Sequence, residues 1–361
     1  MAALTCNLCG QELAVPPHSR VIRCRKCNTV ISLGDGQQQE MAVQEQGSSA
    51  SFGRRRFLQV FNRFSWGNSP QSPSLSSSLN QSVAGLQPPR SGKRALLCGV
   101  TYKNNRFKVR GSLQDVKSMQ ELLLQHFSFQ QSSILVLAEE KPYIPPTRKN
   151  IIEALKWLMK NLQPGDSLVF YFSGHGFRQP NFAGDELDGF DETICPLDFR
   201  TEGMILDNAI NDIIVKPLAP GIKLHAIVDA CHSGTVLDLP RLYKRKEKKW
   251  TDNKPPSGAC KSTNGGMAIC LSACQDYELA ADTNAFSSGK DTTGAMTYTL
   301  IKAIKEKPNI TYAGLLDYMH EAIEAVNRTR NRVLKVFQPK MEQEPALSSS
   351  EDFNINQKLS L

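Results

Sequence analysis

A chain of 361 residues with 40% hydrophobic content can bury one large core and still carry a small satellite module. It shows no apolar leader and no run of eighteen apolar residues, which argues against secretion and a membrane span, and its ten cysteines therefore read as ligands, core residues or nucleophiles rather than disulfides. The net charge of +8 is unevenly spread, with +7 on residues 1–94, +6 on 241–261 and −5 on the remainder, which speaks against a nucleic-acid-binding body.

In chain order, residues 1–36 hold Cys6, Cys9, Cys24 and Cys27 in the spacing C-x2-C-x14-C-x2-C. One such pair could be a redox dithiol, but two at this separation point to a tetrahedral structural zinc site with four thiolate ligands. So short a segment has little apolar core, and metal binding would supply its folding energy. Residues 37–93 are Gln-, Ser- and Pro-rich and read as a disordered linker. Within it, GRRRFLQVFNRFSW interleaves basic and aromatic residues, either as an unfolded sticky patch or as a docking segment.

From Arg94 the pattern alternates. RALLCGV, SILVLAE and SLVFYFSG read as strands, and LQDVKSMQELLLQHF and TRKNIIEALKWLMKNL as helices between them. A helix at LDNAINDIIVKPL, strands at KLHAIVDA and MAICLSA, and helices at 293–306 and 311–327 follow. This order predicts an α/β fold, a mostly parallel central sheet with helices on both faces. Cys270 and Cys274 flank a strand end and read as core residues.

A parallel sheet binds ligands outside its C-terminal strand ends. Two strands finish there in reactive residues, FYFSGHG at His175 and AIVDACHSG at Cys231. A thiolate is the attacking form of cysteine, and an adjacent imidazole can polarise the thiol and protonate the leaving amine. Gly174 and Gly176 flank His175, and the backbone N–H groups of Gly176 and Cys231 are candidates for an oxyanion hole. His232 would point away from its neighbour in extended backbone, and the alternative is a buried thiol and a turn histidine that never meet.

Together, GVTYKNNRFKVRGSLQDV, FYFSGHG, GDELDGFDETICPLDF and HAIVDACHSGTVLDLP resemble the metacaspases, caspase-related cysteine peptidases of plants, fungi and protists. SACQDYELAAD and TGAMTYTLIKAI extend the likeness towards the C-terminus. The cysteine-rich head and Pro/Gln linker are similar to the plant type I subgroup, whose zinc finger is of the lesion-simulating-disease type. The resemblance implies a caspase-like body with a large region at 94–240, a basic processing loop at 241–261 and a small region at 262–361. It implies an endopeptidase cutting after Arg or Lys, with Cys231 as nucleophile and His175 as general acid/base. By position in the motifs, Asp115, Asp229 and Ser173 would line the specificity pocket; Ser112 stands there too, where the family commonly has cysteine. Carboxylates suit that role because bidentate Asp–Arg pairing is directional.

The stretch GDELDGFDE packs Asp185, Glu186, Asp188, Asp191 and Glu192 together, as a solvated loop or around a hard cation. The resemblance implies an activating calcium site formed by Asp191, Asp207, Asn208 and Asp238, with Asn208 replacing a family aspartate and weakening affinity. The basic stretch RLYKRKEKKWTDNKPPSG is a solvated loop, a nuclear-import patch or an autoprocessing site, with Arg245, Lys246, Lys248 and Lys249 as candidates. The implied protein is a cytoplasmic, alternatively also nuclear, monomer acting in programmed cell death and stress. Its partners would be peptides with a basic residue before the scissile bond and regulatory proteins reached through the zinc module. The competing reading is a catalytically silent adaptor; a zinc-ribbon DNA binder comes third.

Overall fold

The computed structural model describes residues 2–5, 12–15, 21–23, 30–32, 82–89, 92–103, 108–181, 186, 189–230, 234–254, 257–273, 282–283, 293–329 and 345–361. The N-terminal head contributes two antiparallel strand pairs, Ala2–Thr5 with Glu12–Val15 and Val21–Arg23 with Val30–Ser32. Cys6, Cys9, Cys24 and Cys27 lie outside the described residues, as do Asp185 and Asp188.

The main body is built on β1 (Lys93–Gly99), α1 (Ser112–His126), β2 (Ile134–Leu137), α2 (Arg148–Leu158), β3 (Ser167–Ser173) and β4 (Lys223–Asp229). It continues with β5 (Arg241–Lys244), β6 (Lys249–Asp252), β7 (Met267–Ser272), α3 (Ala295–Glu306), α4 (Tyr312–Thr329) and β8 (Ala346–Ser349). One eight-stranded sheet has the order β6-β5-β8-β7-β4-β3-β1-β2. The run from β7 to β2 is parallel, and β8, β5 and β6 join antiparallel, so the sheet is mixed and mostly parallel as expected.

Strand residues point alternately to opposite faces, and both faces of the parallel strands are apolar. On one side Leu168, Phe170 and Phe172 of β3 pack with Ile151, Leu155 and Leu158 of α2 and with Ile210 and Ile214. On the other, Val169 and Tyr171 pack with Met119 and Leu122 of α1, Met296 and Leu300 of α3, and Leu315 and Met319 of α4. Helix α2 starts where Thr147 Oγ1 accepts the Asn150 N–H at 3.3 Å. At its other end the buried Arg94 guanidinium donates to the carbonyls of Leu158 and Lys160, both at 2.8 Å, satisfying groups the helix leaves open. Val83, within the stretch expected as linker, is buried in this core.

Two regions differ from the sequence-based expectation. The segment after His175 forms a small antiparallel sheet from Gly176–Pro180, Phe190–Ile194 and Ile205–Leu206. The basic stretch expected as a loop pairs as the β5–β6 hairpin on the sheet edge. Its β-forming residues explain this: Trp250 packs edge-on to Tyr243 and tilted against Phe353, with ring centroids 5.3 and 5.1 Å away.

His225 of β4 is fully buried, with Nε2 2.6 Å from Tyr312 Oη and its ring stacked on the tyrosine. Burial, then the charge of Lys223, lowers its pKa from 6.5 to about 3. The folded state therefore holds a neutral imidazole, and its stability contribution is complete above pH 6.5 and is lost as pH falls towards 3. Urea unfolding should show about 2 kcal/mol less stability at pH 5 than at pH 7.5 from this residue. In His225→Gln that acid dependence should shrink by a similar amount; an unchanged slope would contradict the assignment.

Candidate active site and acidic cluster

Strand register brings the ends of β1, β3 and β4 together: Ser173 pairs with Gly99 on one side and with Asp229 on the other. Gly99 is required there, because a Cβ would lie 2.7 Å from the Ser112 carbonyl oxygen and from Val116. That close approach seats the head of α1, with Ser112 fully buried and Asp115 in the first turn, beneath the strand ends.

Asp115, Ser173 and Asp229 are all at most 5% exposed. Ser173 Oγ donates to Asp115 at 3.1 Å, and the Gly294 N–H reaches both Asp115 oxygens at 3.1 Å. Asp229 accepts from the Thr297 N–H at 2.9 Å and its hydroxyl at 2.6 Å. Since Thr297 donates to that carboxylate, Tyr171 Oη donates to Thr297 at 2.7 Å. Burial, then Asp115 and Asp229, pushes the Tyr171 hydroxyl well above its ordinary pKa, so it remains a neutral donor. These donors satisfy two buried carboxylates without cancelling their charge, an arrangement suited to a cationic ligand. Gly294 and Thr297 come from the C-terminal part of the chain, so the hydrogen bonding of this acidic group is incomplete without it.

His175 follows Ser173 by two residues, as Cys231 follows Asp229. The His175 N–H donates to Tyr102 Oη at 3.1 Å, and Tyr102 Oη donates to the Cys195 carbonyl at 2.6 Å. The two rings lie 4.8 Å apart. Tyr102 is fully buried with φ +49°, a left-handed conformation uncommon outside glycine. It thus positions the imidazole-bearing turn. Gly176 opens the adjoining strand opposite Ile194. Cys231, His232 and Ser233 lie outside the described residues.

An acidic cluster forms beside the small sheet, where the Glu192 N–H donates to Asp207. Carboxylate oxygens of Glu186, Asp207 and Asp238 lie within 4.8 Å of one another. Lys261 reaches in, with Nζ 3.0 Å from Asp238 Oδ2 and also paired with Glu186. Thr235 Oγ1 donates to Glu192 at 2.7 Å, and Asp191 is held by Gln179 and Asn181. Asp238 adopts φ +52°, which aspartate tolerates better than most side chains. Burial, then neighbouring acids led by Asp238, raises Asp207 and Glu186 well above the usual carboxylate range. Burial would lower Lys261, but Asp238 and Glu186 outweigh it and hold the ammonium above its ordinary value.

Of the four expected cation ligands, Asp207 and Asp238 meet here. Asn208 is the next residue after Asp207, and its N–H donates to Asp207 Oδ1 at 2.6 Å. Asp191 lies close enough to help raise the pKa of Asp207, after burial, Asp238, Glu192 and Glu186. Glu186 was legible as part of an acidic run but not as a member of this cluster. Lys261 carried no sequence signal beyond its charge; Tyr102, Gly294 and Thr297 lay in motifs that did not mark them.

Among the four basic candidates for cleavage, Arg245 and Lys246 occupy the hairpin turn, Lys248 ends it at φ +52° and Lys249 begins β6. Lys246, Lys248 and Lys249 are exposed, whereas Arg245 is half-buried and donates to Asp317 at 3.2 Å. No helix among the described residues is long and apolar enough to cross a membrane.

A mostly parallel sheet thus carries a buried acidic group and a histidine turn on one rim, and residues 93–240 of this body match the family described as "Metacaspase, peptidase C14 domain". The chain belongs to the metacaspase family of cysteine peptidases. Metacaspase-1 of Arabidopsis thaliana is 42% identical over 326 residues, covering 89% of this chain and 82% of that one. Metacaspase-3 of the same plant is 40% identical over 359 residues, covering 96% and 95%. Metacaspase-2 is 46% identical over 254 residues, covering 68% and 60%.

Proposed function

We propose that this chain is a calcium-activated cysteine endopeptidase that cuts after Arg or Lys and processes itself within the 241–261 region. The observation that carries the specificity is the buried Asp115–Ser173–Asp229 group, whose paired positions stand two residues before His175 and Cys231 on adjacent strands. A cationic side chain enters this pocket, placing the following carbonyl at the strand ends. His175 takes the Cys231 thiol proton, and the sulfur attacks the carbonyl carbon while Gly176 and Cys231 N–H groups receive the oxyanion. His175 then protonates the leaving amine as the C–N bond breaks. Water, deprotonated by His175, hydrolyses the thioester and restores the thiol.

The cluster of Glu186, Asp207 and Asp238, with Asp191 and Asn208 beside it, suits calcium: hard oxygen donors at a spacing compatible with ligand distances of about 2.3–2.6 Å. Bound calcium would neutralise carboxylates that are otherwise costly to bury. The cluster touches both catalytic loops. Asp191 and Glu192 lie on the strand paired to the residues after His175, and Thr235 and Asp238 lie on the chain that follows Cys231. Stiffening that cluster therefore bears on the alignment of both.

The head belongs to the same proposal as a structural zinc module for protein recognition, Cys6 and Cys9 falling between one described strand pair and Cys24 and Cys27 between the other. The implied setting is programmed cell death and stress, in the cytoplasm or also the nucleus, as a monomer. A fluorogenic peptide ending in Arg should be hydrolysed in calcium, at least tenfold more slowly in chelator, and not at all by Cys231→Ala. Full activity in chelator would overturn calcium activation, and no hydrolysis under any condition would favour the adaptor.

A further inference from the structure

The chain from β6 to β7 is exposed at Ser257, Gly258, Ala259 and Cys260, and then buries a charged residue. Lys261 is only 6% exposed, and its ammonium lies between Glu186 and Asp238, 3.0 Å from Asp238 Oδ2. Its carbonyl is held as well, accepting the Asn211 side-chain amide at 3.1 Å; that amide also donates to the Leu237 carbonyl at 2.8 Å. Asn211 follows directly on the turn that supplies Asp207. One lysine therefore fastens the connection between the two halves of the body to the carboxylates that would ligate a cation.

We propose that Lys261 is a tethered counterion of this cluster, that calcium competes with its ammonium for Glu186 and Asp238, and that calcium entry releases residues 257–263. This inference rests on reading the cluster as a calcium site. A calcium ion takes six to eight oxygen ligands and carries two positive charges. Oxygens already paired with an ammonium are unavailable to it, and the two cations repel at about 4 Å. The lysine keeps the acidic cluster tolerable before calcium arrives and weakens affinity for the ion. Its departure frees residues 257–263, the approach to β7.

The test uses the full-length Cys231→Ala protein, which cannot cut itself. Calorimetry with calcium should give at least tenfold tighter binding after Lys261→Met is added, while Lys261→Arg, which keeps the charge, should stay near the parent. Hydrogen exchange of peptides covering 257–266 in the parent should rise when calcium is added, a measurement independent of whether the Met variant folds. Equal or weaker binding by the Met variant, or slower exchange of 257–266 with calcium, overturns the tether while leaving the calcium site in place. Absence of binding in the parent overturns the calcium reading itself, and the tether with it.

Discussion

Replacing His175 by alanine is expected to lower kcat for an Arg-ended peptide by about 10²- to 10⁴-fold, the contribution of a positioned general acid/base. KM should change little. The turn is anchored through its backbone, since the His175 N–H donates to Tyr102 Oη at 3.1 Å, and alanine keeps that donor. The loss can therefore be assigned to the imidazole rather than to a collapsed loop. Tyr102→Phe is the complementary change. It keeps the ring but removes the group that accepts from His175 and donates to the Cys195 carbonyl at 2.6 Å. Losing the partners of two buried groups should cost about 1–3 kcal/mol. With His175 less well held, kcat should fall about tenfold and the pH–rate profile should shift. A His175→Ala protein within tenfold of the parent would remove this residue from the chemistry.

Asp229→Asn should reduce kcat/KM for the same peptide by about 10²- to 10³-fold, as expected when one partner of a buried charge pair is lost. The amide is isosteric and can still accept from Thr297, so the fold should be kept. The sharper readout is selectivity. A peptide ending in citrulline, the neutral isostere of arginine, should be a poor substrate for the parent, and Asp229→Asn or Asp115→Asn should erase most of the difference. Gly294→Ala tests the same pocket sterically, because its Cβ would lie 2.1 Å from Asp229 Oδ2. It should damage cleavage after Arg as severely as loss of the carboxylate. Undiminished preference for Arg over citrulline in Asp229→Asn would refute the cation pocket.

The contrast between Asp229 and Thr297 shows how far the chain can be read from its local pattern. Asp229 ends a run of buried strand residues two positions before Cys231, inside the motif whose family resemblance marks it. Thr297 and Gly294 lie more than sixty residues later in a stretch that reads only as the start of a helix. Their hydrogen bonds to Asp229 and Asp115 follow from the packing of α3 across the sheet. The hairpin at 241–252 was missed for a related reason. Its lysines dominate the composition, while the aromatic packing of Tyr243, Trp250 and Phe353 that orders it joins residues a hundred positions apart.

Alternating apolar strands and amphipathic helices, with reactive residues at two strand ends, are written locally, because hydrophobic periodicity and strand termini depend on near neighbours. They were sufficient for the fold class and the catalytic candidates, while the family came from the resemblance of the motifs around them. Which carboxylates are buried together, which neutral donors satisfy them, and the insertion of Lys261 between Glu186 and Asp238 depend on distant segments converging. Burial and the loss of water decide those interactions, and both arise only when the sheet and its loops have closed around them.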